Sequence, residues 1–337
     1  MEIKYPILGI DISKAKLDGC LLDAEGNHAS VQVKNTTAGL NALARWLEQR
    51  AVADLTVCLE ATNVYGAAVA LFFHEREQMV ILANPTAVHA YMRAKMQRAK
   101  TDKADAALIA GYARAMAETL RPWHPLPASY DELRDLVRLL QDLTRCRARA
   151  KNRMEKLAYL TSMAKARIAR SVRADLAHYE KEIRLVTNDI RKCIQNNETM
   201  QQRYQLVTSA PGVGFVTAVT FMAEVPDIHR FTRAKQLAAY AGVTPRVSQS
   251  GQRQPISQPI SKMGNARLRR AFFMASLSAR QYNKGITVCA QNHASKKPMV
   301  LQLAVARKLL HVLYAMEKYQ RPFDQNYQKT GLATGTI

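Results

Sequence analysis

The stretch from residue 130 to residue 204 contains neither proline nor glycine. These two residues interrupt helices most strongly, so their absence over this length predicts long helices. Four leucines recur in its first part at spacings of three and four residues: Leu133, Leu136, Leu140 and Leu143. Such spacing is typical of an apolar seam between packed helices. We therefore predict a long helical hairpin or coiled coil, preceded by a boundary at WHPLP, residues 123–127, whose prolines cannot continue a helix.

A different order of elements precedes this boundary. Residues 5–35 contain three predicted strands that form a β-meander: YPILGIDIS, KLDGCLLD and HASVQVKN. A helix, a strand, a helix and a strand are predicted next: TTAGLNALARWLEQRA, with Thr36 or Thr37 as its cap, LTVCLEAT, VYGAAVALFFHERE and MVILANP. A further helical pattern covers residues 86–119. This order predicts an α/β domain with a mixed sheet and helices on both faces, the ribonuclease-H-like layout, although actin-like kinases begin similarly.

The charge balance indicates a polyanionic partner. The chain has 49 Lys and Arg against 27 Asp and Glu, a formal net charge of +22, and such a field attracts nucleic acid. Residues 145–173 hold ten Lys or Arg and one acid, Glu155; a face along a phosphate backbone and an ordinary solvated helix face both remain open there. Residues 228–316 hold fifteen Lys or Arg and no acid. We interpret this second stretch as the main nucleic-acid contact, because water-facing surfaces usually mix both signs.

The remaining composition favours a reducing, intracellular setting. The five cysteines are scattered, without a CxxC pair, and are typical of reduced thiols. The N-terminal MEIKYPILGIDISK carries charges where a signal peptide needs an apolar core. We also recognise no apolar run near the roughly 18 residues of a membrane span. We expect a soluble, cytoplasmic protein that makes no membrane contact.

Four acids occupy positions where they could converge. Asp11 ends the apolar run ILGID, Glu60 ends LTVCLE, and Asp102 and Asp105 lie three residues apart in a predicted helix. The first and fourth strands are neighbours in the predicted sheet, so Asp11 and Glu60 can meet at one edge, facing that helix. Like charges this close raise one another's pKa unless cations neutralise them.

Hard oxygen ligands suit Mg²⁺ or Mn²⁺. Two such ions about 3.5–4 Å apart can stabilise the entering and leaving oxygens of a phosphodiester. Taken singly, each acid has an ordinary alternative. The helical Asp pair, for instance, could form a solvated surface with Lys100 and Lys103.

A Pro-Gly-Val-Gly sequence separates two apolar segments at residues 211–214. It is typical of a helix-hairpin-helix turn, in which Gly212 and Gly214 would let backbone N–H groups approach a phosphate. An ordinary connection between helices is the alternative.

In combination, these motifs resemble one known family, the DEDD-type insertion-sequence transposases, which includes the pilin-gene invertase and the bridge-RNA-guided recombinases. The motifs that carry the resemblance run through nearly the whole chain: GID at 9–11, EATNVY at 60–65, NPTAV at 84–88, KTDKADA at 100–106, PGVG at 211–214, FTRAKQLAAYAGVTPR at 231–246 and SKMGNARLRRAFF at 261–273. Two departures are Asn63, where many relatives carry glycine, and GQRQPIS after Ser250, which differs from the serine-rich continuation of some relatives.

The resemblance implies three domains: a RuvC-like catalytic domain at 1–128, a helical coiled-coil segment at 129–204 and a mainly α-helical C-terminal transposase domain at 205–337. It implies that Asp11, Glu60, Asp102 and Asp105 are the catalytic, metal-binding acids. It further implies a nucleophilic serine at Ser250, with Ser248 as the alternative. A homo-oligomer, dimer or tetramer, on double-stranded DNA and a structured noncoding guide RNA also follow from the resemblance, although the residues themselves show no RNA requirement.

A serine that attacks phosphorus forms a phosphoserine ester and so preserves the bond energy for rejoining, whereas water would only cut. Cations that could neutralise the phosphate follow the serine or lie close to it in sequence: Arg246, Arg253, Lys262, Arg267 and Arg270. We expect Asn265 to cap the helix that carries the last two. The prediction is thus a DNA recombinase of a mobile element. The alternatives are a metal-dependent junction nuclease without serine chemistry, a noncatalytic nucleic-acid-binding protein and, more weakly, a sugar-kinase-like ATPase, since no second Gly-rich phosphate loop appears.

Overall fold

The computed structural model describes residues 6–60, 64–96, 102–248, 256–292 and 294–325, and within them it leaves out the side chains of residues 64, 102–103, 246–248 and 256–259. The chain divides into two compact units, Met1–Pro125 and Leu126–Ile337. The division into three domains at 1–128, 129–204 and 205–337 stays a prediction.

The first unit is built on a mixed five-stranded sheet. Its strands are β1 (Ile7–Ile12), β2 (Lys16–Leu22), β3 (His28–Lys34), β4 (Thr56–Glu60) and β5 (Met79–Ala83). They lie in the order β3-β2-β1-β4-β5. The first three pair antiparallel, and β4 and β5 run parallel to β1. The predicted meander followed by parallel strands is therefore confirmed.

Four helices accompany this sheet: α1 (Thr37–Glu48), α2 (Ala67–His74), α3 (Pro85–Ala94) and α4 (Asp102–Ala115). Local sequence explains where two of them begin. The Thr36 side chain accepts a hydrogen bond from the backbone N–H of Gly39 and caps α1, as predicted. The Asn84 side chain accepts from the N–H of Thr86, and Pro85 follows at the first helical position of α3. The NPTAV motif thus works as a helix start.

Successive residues of the central strands pack into two different apolar clusters, one on each face of the sheet. Leu8, Ile10 and Leu59 lie in one apolar cluster with residues of α1 and α2. Ile7 and Cys58 lie in another cluster with residues of α3 and α4. The central strand β4 is buried on both faces, whereas β3 alternates between exposed and half-buried residues. These are the patterns of an edge strand, β3, and of a covered central strand, β4.

Helix α4 lies directly on β1 at Gly9. A β-carbon at Gly9 would lie 2.3 Å from the carbonyl oxygen of Ala106 and 2.4 Å from the backbone nitrogen of Ala110. Real β-carbons do not approach backbone atoms this closely, so only glycine allows the helix to pack here. The contact fixes the distance between α4 and the sheet.

The second unit is mainly helical. Its helices are α5 (Ala128–Lys156), α6 (Lys165–Gln195), α7 (Glu198–Thr208), α8 (Phe215–Glu224), α9 (Ala234–Tyr240), α10 (Ala266–Tyr282), α11 (Lys284–Gln291) and α12 (Pro298–Tyr319). A two-stranded antiparallel pair, β6 (Pro245–Ser248) and β7 (Ile256–Ile260), joins them. Both Cys193 and Asn197, at the end of α6 and just beyond it, contact Ser129 at the start of α5, so α5 and α6 form the predicted helical hairpin.

Helix α12 is the centre of the C-terminal core. Its buried residues, including Leu309 and Leu313, join α9 and α10 in one apolar cluster. Among the described residues α12 is the one helix long and apolar enough to cross a membrane, and half of the relevant window is buried. This corrects the expectation that no apolar run approaches the length of a membrane span. A core helix has the same length and composition, and α12 packs within the C-terminal core.

A buried ion pair ties α7 to α12. The Arg203 guanidinium donates to both carboxylate oxygens of Glu317 and to the carbonyl oxygens of Val225 and Pro226. Burial is the largest single influence on the pKa of Arg203, and it lowers this pKa. The hydrogen bonds and charges of Glu317 and Tyr130 together outweigh burial, so the pKa of Arg203 is raised. Because every charge here is paired, removal of one partner would leave the other buried without compensation.

We expect Gly9→Ala to destabilise the first unit by about 1–3 kcal/mol, because the new methyl group must displace the α4 backbone. Urea unfolding followed by tryptophan fluorescence measures this unit selectively, since the two tryptophans, Trp46 and Trp123, both lie in it. Gly66→Ala is the control, because the nearest atom to its new β-carbon would be the Cδ1 at the flexible end of the Ile12 side chain, at 3.3 Å. Equal midpoints for Gly9→Ala and the unsubstituted protein would show that the helix does not depend on this contact.

Candidate active site

Two predicted acids stand at the ends of neighbouring parallel strands. The β1–β4 pairing ends at Ile10 opposite Leu59, so Asp11 and Glu60 are the next residues of the two strands. They follow Gly9 and Cys58 by two positions, and the alternation of a strand therefore places both acids on the face covered by α3 and α4. Glu60 has a side chain only 12% exposed, and Asp11 is half-buried.

The first turn of α4 lies at the same end of the sheet. At the far end, a guanidinium nitrogen of Arg114 would be 3.6 Å from a β-carbon at Gly26, which lies in the turn after β2. Leu22, which ends β2, pairs with Ile7 at the start of β1. Helix α4 therefore runs opposite to β1, and its first turn points toward the Asp11 end.

Asp102 and Asp105 occupy that first turn. Asp105 is half-buried, and Asp102 is the first residue of α4. The N-terminal end of a helix carries partial positive charge, which favours carboxylates there. The structure thus brings the backbone positions of all four predicted acids to one end of the α3–α4 face.

A complete metal site does not follow from the described side chains alone. Among them, no three Asp, Glu, His or Cys residues lie close enough to hold a metal ion, and the side chain of Asp102 is not among them. The donors at this end of the sheet are carboxylate oxygens, the kind that Mg²⁺ and Mn²⁺ prefer. The four-acid metal set stays a prediction.

A fifth acid lies beside these four, and the sequence analysis missed it. Asp18 stands directly opposite Asp11 in the β1–β2 register and is 6% exposed. The Gln32 side-chain amide donates to its Oδ1 at 2.6 Å, and the Lys16 ammonium lies 3.4 Å from its Oδ2. The short turn between β1 and β2 was the available signal, because it fixes which residues face each other across the hairpin.

His89 of α3 was missed as well. Its Nε2 lies 4.0 Å from an Oε1 of Glu60, and its side chain is 60% exposed. The imidazole is therefore open to solvent on one side and near the acidic face on the other.

The predicted nucleophile lies outside the described residues. Ser250 and Arg253 fall between residues 248 and 256, and the side chains of Ser248 and Arg246 in β6 are not described either. The strands that flank this segment are paired antiparallel, with Ser248 opposite Ile256. The choice between Ser250 and Ser248 stays a prediction.

The predicted cations after the serine have different surroundings. Lys262 and Arg270 are exposed, whereas Arg267 is half-buried, and its Nε has no hydrogen-bond partner among the described residues. Asn265 caps α10 as predicted, since its side chain accepts from the N–H of Leu268. Its amide also donates to the buried carboxylate of Glu224 at 2.6 Å, which anchors the start of α10 to α8.

The two glycines of PGVG differ in what surrounds them. Gly212 has a φ of +94°, and a β-carbon there would lie 2.5 Å from backbone atoms of Ala279 in α10. Backbone conformation and packing therefore both require glycine at this position. Gly214 precedes α8 and has no heavy atom within 4 Å of the β-carbon position, so the space beside its α-carbon is open. The phosphate-binding role of Gly212 and Gly214 stays a prediction.

The acid-free stretch, residues 228–316, contains a histidine whose pKa is shifted by burial and by basic neighbours. Burial is the largest cause that lowers the pKa of His311 in α12, and together with the charges of Arg307, Lys308 and Lys235 it brings this pKa to about 4. This imidazole is therefore neutral at pH 7 and lies in a region of positive potential.

Comparison with known proteins matches the chain to transposase families. A family model described as "Transposase", of the DEDD type of IS110 elements, matches residues 8–163. A second, described as "Transposase IS116/IS110/IS902 family", matches residues 204–287. Between them the two models match well over half of the chain.

Individual relatives match over different lengths of the chain. The chain is 28% identical over 326 residues to the pilin gene-inverting protein of Moraxella bovis, covering 94% of this chain and 97% of that protein. The Moraxella lacunata protein of the same name matches equally. The transposase for insertion sequence element IS1111A of Coxiella burnetii is 32% identical over 133 residues, which is 40% of this chain and 31% of that protein. The chain belongs to the IS110 family of DEDD-type insertion-sequence transposases, enzymes that cut and join DNA.

Proposed function

We propose that this transposase cuts and rejoins DNA through a covalent serine intermediate, with Ser250 as nucleophile and a divalent metal at Asp11, Glu60, Asp102 and Asp105. The observation that carries the acidic half of the proposal is the position of Asp11 and Glu60 at the ends of adjacent parallel strands, beneath the first turn of α4. The serine half rests on the family motif.

We propose that the first unit is ribonuclease-H-like and RuvC-like. The strand order β3-β2-β1-β4-β5, with an antiparallel meander and two parallel strands, supports this assignment. We likewise propose that α5 and α6 form a coiled coil. Leu133 and Leu140 of α5 are buried in one cluster with Val186 and Ile190 of α6, as the seam of such a structure requires.

The acids and the serine have separate tasks in this mechanism. The carboxylates of Asp11, Glu60, Asp102 and Asp105 would hold Mg²⁺ or Mn²⁺, which when bound supplies Lewis-acid stabilisation to the phosphate oxygens. The Ser250 hydroxyl loses its proton to a base, its Oγ bonds to phosphorus, and one strand oxygen leaves and takes up a proton. A hydroxyl of a second strand then attacks the phosphoserine, releases Ser250 and forms the new phosphodiester.

Cationic side chains would neutralise the phosphate while these bonds exchange. Lys262 and Arg270 are exposed and free to reach it, and we assign the same role to Arg246, Arg253 and Arg267. Gly212 and Gly214 are proposed to offer backbone N–H groups to the DNA. The open surroundings of Gly214 favour it over Gly212, whose backbone is packed on Ala279.

The partners follow from the family. We propose double-stranded DNA as the substrate, a homo-oligomer of two or four chains, a cytoplasmic location and a structured noncoding RNA as guide. The name of the Moraxella relatives makes inversion a candidate outcome beside insertion.

A metal-dependent junction nuclease is the second candidate. All four predicted acids lie in the first unit, and acids that hold a metal could activate water without any serine. The two candidates differ in one product, a covalent link between protein and DNA.

We expect labelled junction DNA of the element to become covalently attached to the protein in the presence of Mg²⁺ and the element's flanking RNA. Ser250→Ala should abolish this attachment, and Ser248→Ala should retain it. Asp11→Asn and Glu60→Gln should reduce it by a factor of about 10² or more, since each removes a charge that holds the metal. Denaturing gels of the labelled DNA measure the attached fraction, and Glu48→Gln, at an exposed acid of α1, is the control.

Each other result has a definite meaning. Cleavage without attached label would replace the proposal by the nuclease, and binding without cleavage would replace it by a noncatalytic protein. Full activity after ribonuclease treatment would contradict the guide RNA and leave the rest of the proposal unchanged. Attachment that persists in Ser250→Ala and disappears in Ser248→Ala would reassign the nucleophile.

We also expect Asp18→Asn to weaken the response to metal. Directly opposed strand residues have β-carbons about 4.5–5.5 Å apart, so this substitution removes a negative charge close to Asp11, while Asn keeps an oxygen that can accept from Gln32. Loss of such supporting groups typically costs about 10–100-fold in metal affinity or activity. The Mg²⁺ concentration that gives half-maximal attachment should rise.

Glu48→Gln, which lies away from β1, serves as the matched control for this titration as well. Unchanged Mg²⁺ dependence in Asp18→Asn, at an unchanged circular dichroism spectrum, would restrict Asp18 to a structural role between β1 and β3.

A further inference from the structure

The far half of the α5–α6 hairpin, residues 145–173, is strongly cationic; we name it the distal arm. It holds ten Lys or Arg and a single acid, Glu155. The near half of α6 is different, because Glu180, Glu182 and Asp189 alternate there with basic residues. The positive charge is therefore concentrated at one end of the hairpin.

Helical spacing arranges most of these cations in two stripes. Arg145, Arg149, Arg153 and Lys156 recur every three or four residues along α5, and Arg167, Arg170 and Arg173 recur every three residues along α6. All seven are exposed. In the part of the chain that the structure describes, Arg145 is the one member with an acidic partner, Asp142 at 3.2 Å. The stripes thus present nearly unneutralised charge.

The tip of the distal arm adds exposed apolar side chains. Tyr159 is 88% exposed and Met163 is fully exposed, while Leu160 is 39% exposed. Apolar residues that stand this far into solvent are often part of a binding surface. Here they lie between Lys156 and Lys165, so a partner of the tip must also tolerate positive charge.

The positive charge of the distal arm distinguishes between two candidate partners, a second copy of the arm and a polyanion. A second copy of the arm would bring two cationic tips together, and the repulsion would oppose the small apolar gain at the tip. A polyanion meets the opposite balance, because each cation that contacts a phosphate releases a condensed counterion. The α5 stripe extends over about 16 Å at 1.5 Å per residue, which is long enough to follow several phosphates of one strand.

We propose that the distal arm binds the backbone of duplex DNA, in addition to the contacts made by the catalytic residues, with Tyr159 and Met163 placed against the sugars at its tip. The proposal deepens the proposed function, on which it rests for its choice of DNA among polyanions. It assigns the arm a role in holding DNA, and none in the chemistry.

The test compares two variants that remove equal charge from the same hairpin. The arm variant carries Arg149→Gln, Arg153→Gln and Lys156→Gln. The control carries Lys181→Gln, Arg184→Gln and Lys192→Gln in the near half of α6, where all three side chains are exposed. Binding of the full chain to a fluorescent DNA duplex is followed by anisotropy over a series of NaCl concentrations, without Mg²⁺, so that no chemistry is needed.

We expect the slope of log affinity against log salt to fall by about 2–3 in the arm variant, since each lost phosphate contact removes about 0.9. The affinity itself should fall by about 10–100-fold at low salt, while the control stays near the unsubstituted protein. At saturating DNA the arm variant should still form the covalent serine adduct, because the arm does not take part in bond exchange.

Three results would overturn the proposal. Equal slopes in the two variants would show that only net charge matters. A loss confined to an RNA duplex of the same sequence would make the arm an RNA contact, and an altered oligomeric state in sedimentation, with DNA binding intact, would make it a contact between copies. Failure of the serine adduct in the unsubstituted protein would instead refute the proposed function and leave the arm's DNA affinity standing.

Discussion

The close contact between α4 and β1 at Gly9 is the constraint on which the acidic face depends. Because Gly9 has no side chain, the backbone of Ala106 and Ala110 can lie against the strand. Asp11 follows Gly9 by two residues on the same face, and the first turn of α4 lies at that end of the sheet. Strand pairing and buried apolar residues on both sides of the sheet therefore fix the backbone positions of the acids at one end of this face.

The chain combines a net charge of +22 with a local group of acids, and the two have opposite effects on DNA. Cations attract the phosphates over a long range, whereas bare carboxylates at the reaction centre would repel them. In the mechanism we propose, a divalent metal at the acids would reverse the sign of the field there and so make both features compatible with one substrate. Asp18, almost fully buried beside Asp11, adds to the negative charge that such an ion would compensate.

Features that depend on neighbouring residues in the sequence were predictable. The strand order, the caps at Thr36 and Asn265, and the leucine seam of α5 follow from local patterns and agree with the structure. Features that depend on register or distant contacts were not. Asp18 was overlooked because its position opposite Asp11 requires the pairing of β1 with β2, and the Arg203–Glu317 pair joins residues 114 positions apart. The sequence also gave no reason to place Gly212 against Ala279.

His311 lies among the cations of the acid-free stretch. Its pKa falls to about 4 because burial disfavours the charged imidazole and because Arg307, Lys308 and Lys235 repel it. Arg307 and Lys308 precede His311 by four and three residues in α12, so the helix itself places them beside the imidazole. A phosphate placed near these residues would reduce the repulsion, and the pKa of His311 would rise toward its usual value. The cations that contribute to this lowered pKa would also attract the backbone of DNA, which connects the charge pattern of residues 228–316 with the substrate of the family.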